Sequence, residues 1–281
     1  MTFQPVVPLP GVAGWRFLEA TEATQRDAFD RSAVIERDIA YFEEKIGSIT
    51  TAEALVADRR LMTVALGAFG LDEEINKTYF MRRILEEGTD DPESLANQFV
   101  DPRYRAFSEA FGFGNLLGTR TTLESFGQLI TNDYRERQFE IAVGNANDDM
   151  RLALTFRREI SEYTSSSSGD DTAWFQIMGS RPLRAVFEAA YGLPQQFGTL
   201  DVEKQRETLA DKTRELFGEG GLSVFNDPEN VANLIDRFLV RRQVDAGPTG
   251  STPGTAALTL LQSASGGVGG FQRINLILSG A

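Results

Sequence analysis

The sequence predicts an all-α protein, an array of short helices built from two duplicated helical units and followed by a flexible Gly/Ser/Thr-rich C-terminal tail. Three observations predict it. Apolar residues recur at steps of three and four through residues 15–243, period-two alternation of useful length is missing, and one joint sequence occurs twice. The two occurrences are LMTVALGAFGLD (61–72) and LRAVFEAAYGLP (183–194). A chain of 281 residues, 41% of them hydrophobic, buries a substantial core.

In chain order, residues 1–14 form an extended segment without a charged side chain, punctuated by Pro5, Pro8 and Pro10. Those prolines defeat the helical core of a secretory signal, so the chain is expected in the cytoplasm and not on the general secretory route. A first unit follows at 15–121 and a second, packed on it, at 122–243; together they supply roughly eight to twelve helices of ordinary length. Ile35, Ile39, Phe42 and Ile46 make one helical stripe, Tyr104, Phe107 and Phe111 another. Leu123, Phe126, Ile130 and Tyr134 make a third, and Val231, Leu234, Ile235 and Phe238 a fourth. The tail, 244–281, holds the apolar runs ALTLLQ and INLILS and the linker-like GGVGG at 266–270.

The duplication is read from a constant offset. At 122 residues Tyr41 matches Tyr163, Arg59 matches Arg181, Leu61 matches Leu183, and Gly70-Leu71 matches Gly192-Leu193. Further on the offset becomes 126, where FVDP (99–102) answers FNDP (225–228). At each joint Gly70 or Gly192 is expected to end a helix in the left-handed conformation, with Leu71 or Leu193 folding back on the last turn. Asp72 is expected to cap the next helix, where the second copy has Pro194. Asp101-Pro102 and Asp227-Pro228 read as an N-cap followed by proline at the first helical position, as does DDPES at 90–94.

Composition narrows the chemistry. The chain has neither cysteine nor histidine, so thiolate nucleophiles, imidazole bases and the common zinc sites cannot be assembled from it. A net charge of −13 disfavours nucleic acid and anionic membrane surfaces, and no apolar run approaches a membrane span. No P-loop ending is present; NANDD (145–149) lacks the glycine and glutamate of a calcium loop and reads as a capped helix start. The pairs Asp90/Asp91, Asp148/Asp149 and Asp170/Asp171 fall in solvated breaks. Arg59 and Arg181 read as bridges to a carboxylate or to free carbonyls within their units, with a surface contact as the alternative. The basic runs YRERQ (134–138) and RFLVRR (237–242) are expected to pair with acids across helices. No catalytic, metal or cofactor-binding residue is expected, and no cofactor.

Four longer strings carry a family resemblance. They are RDIAYFEEKIGSITTAEALVADRRLMTVALGAFGLDEEINK (37–77), DDPESLANQFVDPRYRAFSEAFGFG (90–114), RQFEIAVGNANDDMRLAL (137–154) and VFNDPENVANLIDRFLVRR (224–242). Through residues 30–243 the chain resembles the bacterial domain of unknown function 1217 family, departing most at SSSSGDD (165–171). Such proteins are commonly encoded beside flagellar genes, which implies a role in flagellar assembly or function. The expectation is a non-enzymatic flagellar protein with a protein partner, either an assembly factor or a component exported by the flagellar type III route. The alternatives are a cytoplasmic scaffold or chaperone and, last, a carboxylate-based enzyme.

Overall fold

The computed structural model describes residues 3–164 and 170–246, the side chain of residue 170 apart, and among them it contains no β-strand. The expected tail from residue 247 onward, with its apolar runs and GGVGG, lies outside the described residues, as do 165–169 of the serine-rich run. Thirteen α-helices and three short 3-10 helices are present among the described residues, more than the periodicity predicts. The surplus lies in elements such as α3 (Ala52–Ala57) and α6 (Leu95–Gln98), too short to display a helical stripe.

The expected extended start survives only to Pro10, because α1 (Gly11–Asp30) begins there and buries Trp15, Leu18 and Phe29. Proline before the first turn sacrifices no helical hydrogen bond, so the segment turns helical four residues before Trp15. Helix α2 (Ala33–Ile46) buries all four members of its expected stripe. Thr51 caps α3, and Asp58 caps α4 (Arg59–Ala68) by accepting from the amides of Arg60 and Leu61. Helix α5 (Thr78–Glu87) then leads to α6 and α7 (Pro102–Phe111).

Two long helices form the middle of the molecule, α8 (Phe126–Ala146) and α9 (Asp148–Thr164). Asn147 accepts from the amide of Met150, so NANDD is the capped start that its composition suggests. Leu123 leaves its expected stripe: it is exposed in the turn before α8, whose buried face starts at Phe126. Helices α10 (Asp170–Gly179), α11 (Arg181–Ala190), α12 (Val202–Phe217) and α13 (Pro228–Asp245) complete the array. With no breaker before Gly247, α13 continues past residue 243, the expected end of the second unit.

Packing places α8 on α4 and α2, and α9 on α8 and α11; α13 lies on α11, and α1 lies along α13 while touching α8 and α9. The boundary expected at 121/122 falls in a loop, yet α8 packs on helices from before it. Aromatic edges fill the second half of the core. Phe156 of α9 stands against Phe187 and Phe225 at 5.5 and 6.1 Å, with Trp174 5.2 Å from Phe187. Truncating such a fully buried ring loses both its transfer free energy and its packing partners. Phe156→Ala is expected to lower unfolding free energy by about 3–5 kcal/mol in urea, whereas Phe17→Ala, at a partly exposed ring, is expected to change it far less.

Candidate functional site

The repeated joints are built as the sequence suggests, with one exception. Gly70 has φ +67°, the amide of Leu71 bonds the Leu66 carbonyl at 2.9 Å, and Gly70 bonds Gly67 at 3.2 Å. Gly192 has φ +64°, with Leu193 bonded to Glu188 at 2.9 Å and Gly192 to Ala189 at 3.0 Å. Both are Schellman closures, which satisfy carbonyls the helix end would leave orphaned. Asp72 is the exception. It lies inside the 3-10 helix Asp72–Asn76 without capping it, and its carboxylate instead accepts from Gln138 Nε2 of α8 at 2.8 Å. A tertiary partner has taken the oxygen that a local cap would use. Pro194 stands before the second 3-10 helix, Gln195–Thr199.

Asp101 and Asp227 cap α7 and α13 through the amides of Arg103 and Glu229, with Pro102 and Pro228 at the first helical turn. DDPES departs from that pattern: Asp91 accepts from Glu93 within a turn, and α6 starts only at Leu95. Arg59 donates to Asn76 Oδ1 at 3.1 Å and, among the described residues, pairs with no carboxylate. Arg181 is exposed, and its charge, beside Arg103, contributes to holding Asp101 below the ordinary aspartate range against burial. Neither arginine therefore makes the expected carboxylate bridge inside its own unit. The guanidinium over the first joint belongs to Arg103, which donates to the Gly70 carbonyl and grips Asp101.

The basic runs do pair across helices: Arg137 meets Glu159 at 3.1 Å, and Arg242 meets Asp149 at 2.7 Å. The first of these pairs belongs to a larger network that sequence reasoning missed. Glu140 of α8, 4% exposed, accepts from Arg158 at 2.7 and 3.0 Å and from Thr155 at 2.9 Å, both on α9. Arg158 also reaches Glu159 at 3.1 Å. Burial works against the charged form of Arg158, but these two glutamates outweigh it and raise its pKa. On α1, Glu22 accepts from Arg157 at 2.6 Å and from Arg26 at 2.8 Å. A cleft of about 260 Å³ lies among these side chains. Its arginines are already engaged by carboxylates, so the arrangement ties α1, α8 and α9 together and presents no unsatisfied cation to a ligand.

The second feature missed from sequence is apolar. After α7, Gly112 turns left-handed and residues 113–120 form a loop held at both ends, with Asn115 bonded to Gly112 and Arg120 to Phe111. Asn115 exchanges two hydrogen bonds with Thr89, at 2.7 and 3.0 Å, and the amide of Leu116 donates to Asp90 at 2.6 Å. Gly114 lies directly on the backbone of 86–88, where an added Cβ would stand 2.3 Å from the Glu86 carbonyl oxygen. Only glycine permits that approach. At the tip of this tied loop, Leu116 and Leu117 are 95% and 89% exposed. The signal in the sequence is NLLG, two leucines in a turn composition where a solvated loop would carry polar residues.

Two predictions follow from the network. Glu140→Leu takes two of the three bonds from the Arg158 guanidinium, leaving it Glu159 alone, and is expected to cost about 3 kcal/mol in urea unfolding, while Glu140→Leu with Arg158→Leu recovers most of that loss. The second concerns acid. Burial opposes ionised Glu22, but Arg157 and Arg26 outweigh it and hold its pKa below the ordinary glutamate value of 4.5. The unfolded chain therefore takes up the proton first. The stabilisation is complete above 4.5 and is lost as pH falls through the lower folded value. Between about pH 5 and 3 the urea midpoint of the wild type is expected to fall more steeply than that of Glu22→Gln.

A family model described as "Protein of unknown function (DUF1217)" matches residues 68–231. No curated protein matches the chain. Among solved structures, the chain is similar to the crystal structure of protein AGR_C_984 from Agrobacterium tumefaciens, with a TM-score of 0.67 and 24% identity. The match covers 85% of this chain and 97% of that one, and it speaks for the shared fold alone.

Proposed function

The chain belongs to the DUF1217 family of proteins of unknown function, and from that premise we propose a non-enzymatic helical protein of the bacterial flagellar system that works by docking a protein partner. The observation that carries the docking is the leucine tip. Exposed leucines are ordinary when scattered singly, but here two adjacent ones are held out by a loop whose backbone is bonded on both sides. The bonds to Thr89 and Asp90 hold the backbone of the tip, which reduces the loop entropy to be lost on binding. It also lies within the residues that the family model spans.

The flagellar setting rests on the gene neighbourhood implied by the resemblance in sequence. The alike closures at Gly70 and Gly192 support an origin by internal duplication, with Arg103 and Arg137 beside the first and Arg241 beside the second. No helix among the described residues is long and apolar enough to cross a membrane.

Leu116→Asp with Leu117→Asp removes the tip without touching the core. The double variant is expected to keep its urea midpoint, because exposed substitutions usually stay within about 0.5 kcal/mol. In a strain relying on it, swarm diameter is expected to shrink to that of the deletion strain. A deletion strain that swims normally would end the flagellar reading. A deletion defect fully rescued by the double variant would end the docking role of the tip. Immunoblots of cytosol, medium and basal bodies from wild-type and export-ATPase-mutant cells separate an exported component from an assembly factor.

A further inference from the structure

Leu116 cannot be covered alone. Its amide donates to Asp90 Oδ2 at 2.6 Å, which fixes that carboxylate against the base of the tip. Asp90 and Asp91 are both exposed, and neither forms an ion pair among the described residues. The neighbouring acids Glu86 and Glu87 differ, being answered on their own helix by Arg82 and Arg83. Arg120 is the nearest cation along the loop, two residues past Gly118 and partly buried beside Gly112.

A partner that encloses Leu116 therefore removes water from Asp90 as well. A carboxylate losing its hydration without a compensating charge opposes binding strongly, whereas a cation at the rim turns that penalty into attraction. Charge also argues against a second copy: tip-to-tip pairing would bring two exposed Asp90 carboxylates together with no cation between them. We infer that the tip enters an apolar socket rimmed by lysine or arginine on a different, basic partner. This inference rests on the docking role of the tip proposed above and adds the chemistry of the occupant.

The test uses the full-length protein and two synthetic amphipathic helices of about 18 residues, five turns each, with identical leucine faces. One carries lysine along its flanks and the other glutamate. Binding is read from amide shifts of residues 114–118 and 88–91 and from their dependence on salt. The lysine peptide is expected to shift these amides and to weaken as salt rises, while the glutamate peptide leaves them unmoved. Asp90→Asn keeps an oxygen to accept from the Leu116 amide but removes the charge. It is expected to weaken the lysine peptide roughly three- to tenfold and to flatten its salt dependence.

Equal shifts with both peptides, or an unchanged affinity in Asp90→Asn, would overturn the basic rim while leaving the docking role standing. Binding that survives Leu116→Ser with Leu117→Ser, or shifts confined to other surfaces, would overturn both. A concentration-dependent dimer that is lost in the double serine variant would replace the basic partner with a second copy.

Discussion

The carboxylate of Glu140 sets the terms for the rest of the fold. It is buried between the two long helices at the middle of the molecule, where an unpaired charge would be prohibitive, and Arg158 and Thr155 of α9 answer it. That requirement fixes the register of α9 on α8. Arg137 and Glu159 extend the same tie, while Glu22 and Arg157 lash α1 across it. With α8 and α9 locked, α4 has one face to pack on and α11 another. Such a network adds little net stability over a well-packed apolar one, but it penalises every misaligned alternative.

Around that centre the molecule is assembled from sharp, locally specified joints. Gly70 and Gly192 each stop a helix within one residue, and Asp101 and Asp227 each start another. Helices α4, α7 and α11, each bounded by such a joint, are ten residues long, whereas α13 runs on for 18. The loop after α7 follows the same logic with a different outcome. Its glycines and Asn115 hold the backbone in place, yet Leu116 and Leu117 at the tip face water. Ordering an apolar tip without burying it stabilises nothing within the chain, which is the physical reason for looking outside the chain for its use.

The helical class, the glycine joints and the Asp-Pro starts were legible in the sequence because each depends on neighbours within a few residues. Four of four stripe residues in α2 are buried, and the aspartates before Pro102 and Pro228 make the bonds that their position implies. Asp72 departs from its expected capping role because the distant Gln138 side chain donates to its carboxylate in place of the local amides. Arg59 and Arg181 recur at the same offset but meet different surroundings, an asparagine in one case and the field of Asp101 in the other.

The sequence alone determined an α-helical chain of short capped segments without imidazole or thiol chemistry, since composition, helical period and capping are properties of the chain itself. Tertiary structure alone decided that Glu140 with Arg158 and Glu22 with Arg157 meet around one cleft, and that Leu116 and Leu117 stand in water while Asp90 holds the Leu116 amide. Burial and charge pairing depend on which surfaces meet. Residues 15 to 135 positions apart carry no mark in the sequence of which of them will touch.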